Sequence, residues 1–338
     1  MRHCIVVDGM GGDRAPLSLI SGATAAACYL DVDVVLVGDR QVLEDTFEEA
    51  ELKRPDNLEI VHASEIIGND ESPVEAFRHK PDSSIAVGLR LVKEGRGDAF
   101  VSAGNTGALL VGGSLVLGRL PGISRPALCT ILPTVTGRGV AVLDVGASTD
   151  MRPGQMIQLA VMGSAYASGA LECENPSVGL LNIGGEANKG TEFTKKSYQL
   201  LSEAETIRFV GNIEPRDVYQ GDVEVVVTDG FAGNLLLKST EGVAQAVFTM
   251  FGSALNSSTR ARMGGWLAQG ALRELKSRLD YTEYGGAPLL GLAQPCIKCH
   301  GASNGKAIAN GILYAMKYLD SGALEEMASV LENMAKKE

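Results

Sequence analysis

Lys189 is the first residue whose position suggests chemistry, because it follows a glycine pair at the end of a predicted strand. Apolar side chains at residues 178–183 predict a buried strand, Gly184-Gly185 ends it, and a helix is predicted to begin near Thr191. Converging backbone N–H groups, the positive end of a helix dipole and a lysine ammonium would together bind an anion. An ordinary strand-to-helix turn with a solvated lysine explains the stretch as well, so the rest of the chain decides between the two readings.

The same succession of strand, glycine-rich loop and helix recurs along the chain. Predicted strands at residues 4–7, 99–101, 140–143, 223–227 and 297–299 are followed by the loops DGMGGD (8–13), SAGNTG (102–107), DVGAS (144–148), TDGFAGN (228–234) and HGASNGK (300–306). Further strands are predicted at residues 32–37 and 58–61, and a helix at 83–94 with Gly95 near its C-cap. This alternation predicts an α/β protein.

Side chains in these loops offer many hydrogen-bond donors to an anion. Ligands of open α/β sheets bind beyond the carboxyl ends of strands, where all of these loops are predicted to lie. We expect a site lined by Lys189, Asn105, Thr106, Asn234, His300, Ser303 and Asn304. The set contains no carboxylate pair and no cluster of metal ligands, so we predict an anionic substrate that is bound with no metal and no other cofactor.

Two nucleotide-binding motifs are excluded by spacing. Gly104 and Gly107 do not complete the G-x-G-x-x-G fingerprint of dinucleotide-binding proteins. The stretch that ends in Gly305-Lys306 is one residue too short between its glycines for a P-loop, and Ala307 replaces the Ser or Thr that would hold magnesium.

The overall charge and composition exclude other classes of function. The chain has 338 residues and a net charge of -11, which argues against a general nucleic-acid-binding protein because phosphate contacts need basic surface. The N-terminus lacks the pattern of a signal peptide, so we expect a cytoplasmic protein. Residues 99–118 carry no charge but include Asn105 and Thr106, so we interpret them as strand, loop and helix, not as a membrane span.

The six cysteines include a C-x-x-C-H pattern at Cys296, Cys299 and His300, the spacing of haem c attachment. Haem attachment would require export, and a zinc site would require a second pair of ligands that the sequence does not offer. A redox dithiol remains open. The favoured interpretation is that both cysteines are small core residues of a strand.

Residues 240–284 break the rhythm of strands and loops, and we predict a helical hairpin there. Between residues 253 and 279, five basic residues and one acidic residue give a charge of +4, and Trp266 lies between Met263 and Leu267. A basic segment with an apolar tip, in an acidic protein, indicates an acidic partner or an anionic membrane surface. The alternative is a structural hairpin with a buried tryptophan at its turn.

Taken together, the loops resemble those of the bacterial phosphate acyltransferases of phospholipid synthesis (PlsX type). The motifs that carry the resemblance span nearly the whole chain: Asp8 with MGGD (10–13) and Ala15-Pro16, SAGNTGA (102–108), LDVGA (143–147), LNIG (181–184), Lys189-Gly190, DGF (229–231), Gly233-Asn234, EYGGAPLLG (283–291), His300-Gly301, Ser303-Asn304 and Lys306-Ala307. Departures are small. Ser148 stands where Asn is usual, Gly9 where Ala is usual, and Gly185 where an acidic residue is common.

The resemblance implies a fold, a reaction and partners. The expected fold is a three-layer α/β/α domain over residues 1–338, similar to the isocitrate and isopropylmalate dehydrogenase architecture shared with phosphotransacetylases, with the hairpin 240–284 protruding for dimerisation and membrane contact. The family moves a fatty acyl group from acyl carrier protein to inorganic phosphate, and a membrane acyltransferase then uses the acyl phosphate. The resemblance also implies a homodimer in reversible contact with the membrane surface.

The chemistry and the resemblance together assign roles to residues. Lys189, Asn234 and His300 are predicted to act in catalysis, although a purely structural role for His300 fits equally well. The residues predicted to bind phosphate or substrate are Gly11, Gly12, Asp13, Ser102, Gly104, Asn105, Thr106, Gly184, Asp229, Gly301, Ser303 and Asn304, and those predicted to contact the membrane are Met263, Trp266 and Leu267.

Two other functions compete with this one. The nearer is a phosphotransacetylase-like enzyme that uses acyl-coenzyme A as donor. The other is a non-catalytic scaffold at the membrane, which would leave the glycine loops without a purpose. A decarboxylating dehydrogenase on the same architecture would need clustered aspartates for a metal, and the sequence has no such cluster.

Overall fold

The β-branched runs of the sequence form strands of one large sheet in the computed structural model, which describes residues 2–279 and 285–335. The strands are β1 His3–Asp8, β2 Val32–Gly38, β3 Leu58–His62, β4 Ala99–Ser102, β5 Ala127–Leu132, β6 Val140–Leu143, β7 Ser177–Leu181, β8 Arg208–Ile213, β9 Val225–Val227, β10 Ala287–Leu290 and β11 Cys296–Lys298. Every predicted strand is therefore confirmed, with small changes of boundary. β5, β8 and β10 are additional.

Helices follow most of the strands. They are α1 Leu17–Tyr29, α2 Arg40–Glu49, α3 Pro73–His79, α4 Ser84–Lys93, α5 Thr106–Gly112, α6 Gln155–Ala170, α7 Glu192–Glu203, α8 Gly230–Leu255, α9 Thr259–Leu267, α10 Gln269–Leu279, α11 Gly305–Asp320 and α12 Ala323–Ala335. A π-helical turn, Gly113–Leu117, extends α5. The helix predicted at 83–94 is confirmed as α4, which Ser83 caps. None of the described helices is long and apolar enough to cross a bilayer.

The direction of the strands reverses in the middle of the sheet. The order is β3-β2-β1-β4-β11-β10-β5-β6-β9-β7-β8. The first five strands are parallel to one another, as are the last four. β10 runs antiparallel to β11 and to β5, and β5 runs antiparallel to β6. The carboxyl ends of β1, β4 and β11 therefore open at one edge of the sheet, and those of β6, β9 and β7 open at the opposite edge.

Alternation along the strands gives the sheet an apolar layer on each face. In β1, Ile5 and Val7 belong to one buried cluster, which includes residues of α1, α6, α11 and α12. Val6 between them belongs to a second cluster, with residues of α3, α4 and α5. Side chains two residues apart share a face of a strand, so each face packs against its own helices. The predicted three-layer α/β/α fold is confirmed.

One expected core residue and one boundary are wrong. Ile183 lies beyond the end of β7 and is 79% exposed, because the chain turns at Asn182, whose side-chain oxygen accepts a hydrogen bond from the Ile183 N–H. The long helical region begins with α8 at Gly230, ten residues before the predicted position 240. The last residues of the predicted hairpin, 280–284, lie outside the described residues.

The apolar residues of the predicted membrane tip are exposed in the described chain. Met263, Trp266 and Leu267 lie in the second half of α9 and are 68%, 72% and 76% exposed. A buried tryptophan at the turn of a structural hairpin, the alternative interpretation, is therefore wrong for this chain.

Candidate active site

Asp8 organises the loop after β1. Its buried Oδ1 accepts hydrogen bonds from the N–H groups of Met10 and Gly11, both at 3.1 Å, and its Oδ2 accepts one from the Ser102 hydroxyl at 2.6 Å. Ser102 in turn accepts a hydrogen bond from the Gly104 N–H at 3.0 Å. One carboxylate therefore fixes the loops after β1 and β4 to each other.

The loop after β11 joins these two. The Asp13 N–H donates to the Gly301 carbonyl at 2.8 Å, and the Cys299 N–H donates to the Ser102 carbonyl at 2.8 Å. A side chain on Gly12, whose φ is +104°, would lie 3.0 Å from both Ala103 Cβ and the Gly301 carbonyl oxygen. Glycine is required here because the three loops approach so closely. We call them the first loop group: residues 8–13, 102–106 and 299–304.

Two predicted donors of this group use their side chains to cap helices. The Asn105 Oδ1 accepts from the Ala108 N–H at 3.0 Å, while its amide donates to the Gly68 carbonyl at 3.0 Å. The Asn304 Oδ1 accepts from the Ala307 N–H at 3.0 Å. Ser303 is buried, and its N–H donates to the His300 carbonyl at 3.0 Å. Their predicted contact with substrate stays a prediction, with helix capping as an established role for both asparagines.

His300 is held by its own loop. Its Nδ1 accepts the Ala302 N–H at 3.1 Å, which leaves Nε2 as the protonated nitrogen of the neutral ring. Burial and then the charge of Lys238 lower the pKa of His300, so the neutral ring is favoured at pH 7. The structural role foreseen for His300 is therefore present, and its Nε2 lies 3.5 Å from the Lys238 Nζ.

Lys298 is a residue that the sequence analysis missed. It ends β11, and its Nζ donates to the carbonyl oxygens of Ala103 at 3.0 Å and Cys299 at 2.5 Å. Burial lowers the pKa of Lys298 to about 8. A lysine at the end of an otherwise apolar strand was the available signal. The C-x-x-C pattern drew attention to its neighbours instead; Cys296 and Cys299 are confirmed as buried core residues.

Asp144 has the role of Asp8 at the opposite edge. Its buried carboxylate accepts from the N–H groups of Leu128, Gly146, Ala147 and Ser148 at 2.7–3.1 Å. Burial raises the pKa of Asp144 to about 6, although these four hydrogen bonds oppose the shift. The loop after β6 is thereby held in a tight turn.

The start of α8 lies against this turn. The Asp229 carboxylate caps the helix by accepting from the Phe231 and Ala232 N–H groups, both at 2.9 Å. The Gly230 N–H donates to the Ser148 carbonyl at 2.8 Å. Asn234, in the second turn, is exposed and close to Gly146, since a Cβ on that glycine would lie 3.6 Å from the Asn234 amide carbon. The loop after β9 thus presents Asn234 beside the loop after β6.

Lys189 lies at the same edge, in the loop after β7. Asn182 fixes this loop by donating to the Lys189 carbonyl at 3.2 Å, and Gly184 packs against the lysine side chain. The Nζ of Lys189 is 3.9 Å from Glu186, and the side chain is 49% exposed. Such a surface ion pair is weak, so the ammonium can exchange Glu186 for a substrate anion. Residues 144–148, 182–190 and 228–234 form the second loop group.

The strand directions divide the predicted site residues between two loop groups. Lys189 and Asn234 open at one edge and His300 at the other, because the sheet reverses between them. Helix α8 connects the two groups: Asn234 and Lys238 are four residues apart and so share a helical face, and Lys238 reaches His300. Lys238, which also pairs with Glu241 at 2.8 Å, is a second residue that the sequence analysis missed.

A cavity of about 450 Å³ lies beside the loop after β6, and its lining includes Arg125 and Arg152. Both side chains are exposed, and Arg125 donates to the Asp150 carbonyl at 3.2 Å. The lining also includes the acidic residue Asp150. Within residues 2–279 and 285–335, no group of three or more His, Cys, Asp or Glu side chains is arranged to hold a metal ion.

Fold and loops together define a class: α/β proteins of the architecture found in phosphotransacetylases and in a dehydrogenase. A phosphotransacetylase from Streptococcus pyogenes superposes with a TM-score of 0.63 at 15% identity, covering 95% of each chain. The 4-hydroxythreonine-4-phosphate dehydrogenase from Klebsiella pneumoniae gives a TM-score of 0.50 at 15% identity, covering 94% of this chain and 99% of its own. The expected likeness of fold is confirmed.

Sequence comparison narrows the class to one family. The family model described as fatty acid synthesis protein matches residues 3–326. A phosphate acyltransferase from Clostridioides difficile is 45% identical over 323 residues, which cover 96% of this chain and 94% of the relative. The chain belongs to the fatty acid synthesis protein family, and the resemblance inferred from its motifs is confirmed.

Proposed function

We propose that this protein is an acyltransferase that moves a fatty acyl group from acyl carrier protein to inorganic phosphate, giving an acyl phosphate for phospholipid synthesis. The observation that carries the proposal is its near-full-length similarity to phosphate acyltransferases. Its motifs lie in loops at strand ends, held by Asp8 and Asp144, and this geometry supports the binding of anionic groups.

In this reaction a phosphate oxygen attacks the thioester carbonyl carbon, the C–S bond breaks, and the thiolate leaves and takes up a proton. Phosphate is already ionised at neutral pH, so positioning and relief of its charge matter more than a strong base. Lys189 would supply charge and Asn234 a side-chain amide, both from the second loop group. One pre-aligned donor to the developing oxyanion is worth ~3 kcal/mol. The proton that phosphate gives up on acylation balances the one the thiolate takes up, and the Nε2–H of the neutral His300 ring would donate a hydrogen bond to the leaving sulfur.

We further propose a cytoplasmic homodimer that touches the membrane surface reversibly and delivers its product there. The exposed side chains of Met263, Trp266 and Leu267 support membrane contact, with the arginines of the same segment facing anionic headgroups. The apolar side chains of Val243, Val247 and Met250 on α8, all more than half exposed, support a covered helical face in the dimer.

The preferred acyl donor distinguishes this proposal from a phosphotransacetylase-like enzyme. Purified protein is incubated with an acyl carrier protein thioester, or with the matching acyl-coenzyme A, and free thiol is followed with and without phosphate. We expect phosphate-dependent thiol release with a higher kcat/KM for the carrier-protein thioester. A higher kcat/KM for acyl-coenzyme A would favour a phosphotransacetylase-like enzyme, and no release from either donor would favour the scaffold.

A further inference from the structure

Lys298 brings a positive charge into the first loop group without an ion-pair partner. Its Nζ donates to two neutral carbonyl oxygens, those of Ala103 and Cys299. Asp8 and Asp13 act on it electrostatically, but no carboxylate in the part of the chain that the structure describes lies within the 4.0 Å of an ion pair. Two of its three N–H directions are thus used, and neither partner neutralises the charge.

An ammonium withdrawn from water in this way is destabilised unless an opposite charge accompanies it. The Asp8 carboxylate acts on it from beyond ion-pair distance, and Met10, Gly11 and Ser102 donate to its two oxygens. The Asp13 carboxylate lies against Gly301, with its Oδ2 3.2 Å from the position of a Cβ there, and it accepts from the Asn69 amide at 3.4 Å. Neither carboxylate forms an ion pair with Lys298, so its third N–H direction is open to a ligand.

The surroundings of Lys298 have donors to offer such a ligand. Backbones come together at Gly12 and Gly301, where a Cβ on Gly12 would be 3.0 Å from the Gly301 oxygen. The N–H groups of these two glycines donate to no acceptor among the described residues. A lysine ammonium with free backbone N–H groups is the donor set of phosphate-binding loops.

We propose that Lys298 and the backbone N–H groups of Gly12 and Gly301 bind a phosphate-type oxyanion. The oxyanion is either inorganic phosphate or the phosphodiester of the prosthetic arm that carries the acyl thioester. The identity of these two sources rests on the proposed function. It places an anion in the first loop group, whereas Lys189 and Asn234 lie in the second.

The charge of Lys298 also gives the site a defined pH dependence. The titratable groups that act on it are Cys299, Asp8, Asp13 and Cys296, and it acts in turn on His300. Burial lowers the pKa of Lys298 to about 8, so the ammonium is charged below pH 8 and loses its proton above it. Binding of the oxyanion is therefore favoured below pH 8 and weakens as the pH rises through that value.

Chemical labelling of the wild-type protein tests the proposal without a mutation. Lysines are acetylated at pH 8, and each modified residue is quantified by mass spectrometry with exposed Lys317 of α11 as the internal control. At a ligand concentration of ten times Kd, labelling of Lys298 should fall roughly tenfold while labelling of Lys317 is unchanged. Protection by inorganic phosphate assigns that source, and protection only by the phosphopantetheine-bearing donor assigns the other. Protection by neither overturns the proposal.

Two variants separate binding from a structural role. Lys298→Met should raise the KM of the protecting substrate roughly tenfold at pH 7, the ordinary loss of one charged hydrogen bond. Lys298→Arg keeps a charge that does not titrate and should move the alkaline limb of kcat/KM to higher pH. Lys317→Met is the matched control. The proposal is contradicted if the alkaline limb of kcat/KM lies at the same pH in Lys298→Arg as in the wild-type protein. If Lys298→Met does not fold, the labelling decides.

The result is separable from the test of the proposed function. A wild-type protein that makes acyl phosphate while its Lys298 stays unprotected would refute this inference alone. A protein that makes no acyl phosphate but whose Lys298 is protected by inorganic phosphate would refute the proposed function and keep the anion site.

Discussion

At the scale of single residues, the chain offers charge and fixed donors, and the two buried aspartates, Asp8 and Asp144, serve to hold loops. Each carboxylate accepts at least three hydrogen bonds, mostly from backbone N–H groups of the loop that follows it. Neither carboxylate is free to act as a general base. Under the proposed function, rate enhancement would come from residues that project beyond the loops, above all Lys189 and Asn234.

Replacement of Lys189 by alanine tests its role as the phosphate and oxyanion donor. We expect turnover to fall by about two to three orders of magnitude, the effect of losing one oxyanion donor. The half-exposed side chain has only a weak ion pair, so the melting temperature should hardly change. Lys195→Ala, on the exposed face of α7, is a control with a similar i,i+3 ion pair to Glu192. Normal turnover in a folded Lys189→Ala protein would remove this residue from the mechanism.

Asn234 is tested by comparing two substitutions at one position. Asn234→Ala removes an amide donor, whereas Asn234→Asp also adds a negative charge that repels phosphate. The aspartate variant should therefore lose more activity than the alanine variant, which initial-rate measurements at several phosphate concentrations will show. An aspartate variant as active as wild type would mean that Asn234 does not face the anion.

At the scale of elements, α8 is the part that connects the two loop groups, and its first turns fit tightly. Gly233 has no room for a side chain, because a Cβ there would collide with the backbone oxygen of Asp144. Nine residues further along the helix, Gly242 has no atom within 4 Å of such a Cβ. Packing therefore requires glycine at position 233 but not at position 242.

The same substitution at these two glycines tests the fit of α8. Gly233→Ala should destabilise the protein by about 1–3 kcal/mol or more, the cost of overpacking a tight contact. Gly242→Ala should be neutral or stabilise it by about 0.5–1 kcal/mol, because alanine loses less backbone entropy on folding. Denaturant unfolding measures both. Equal stability of the two variants would show that α8 is not pressed against the Asp144 loop.

The strands and loops could be predicted because each has a recognisable pattern in the local sequence. Short β-branched runs such as residues 4–7 and 225–227 favour buried strands, and the glycines after them mark loops. β8 was missed because its exposed and half-buried residues lack such a run, and β10 because Pro288 interrupts four residues. The direction of a strand within a sheet has no local sequence pattern, so the reversal of direction at β10 and β5 could not be predicted.

The grouping of the site residues depended on that reversal. The residue types at Lys189, Asn234 and His300 were visible in the sequence, but their distribution over two edges followed from the topology. Lys238 was missed for a related reason. Its significance depends on contact with His300, 62 positions further along the chain, which only the folded structure provides.

At the scale of the whole molecule, an acidic protein carries a basic segment with exposed apolar residues. The net charge is -11, yet residues 253–279 carry +4. A product with a long acyl chain has low solubility in water, which gives delivery at a bilayer a physical advantage. One small apolar tip holds a protein only reversibly, so binding should weaken as salt rises.

Replacing Trp266 and Leu267 with glutamate separates membrane contact from catalysis. The double variant should bind anionic vesicles more weakly in co-sedimentation. Each basic residue contributes about 1 kcal/mol near such a surface, and the two added acidic residues oppose this attraction. Turnover with a soluble acyl carrier substrate should survive. Unchanged vesicle binding would show that the tip is not the contact, and a collapse of soluble turnover would assign the segment to the carrier protein or the dimer.

The central claim is that the acyl group moves from a thioester to inorganic phosphate. The most direct measurement is ³¹P NMR of purified protein with acyl carrier protein thioester, phosphate and a chelator, with free thiol measured in the same sample. The account predicts that acyl phosphate and thiol form in equal amounts, with the chelator present. Thiol release without acyl phosphate, or activity that the chelator abolishes and a divalent ion restores, would contradict it.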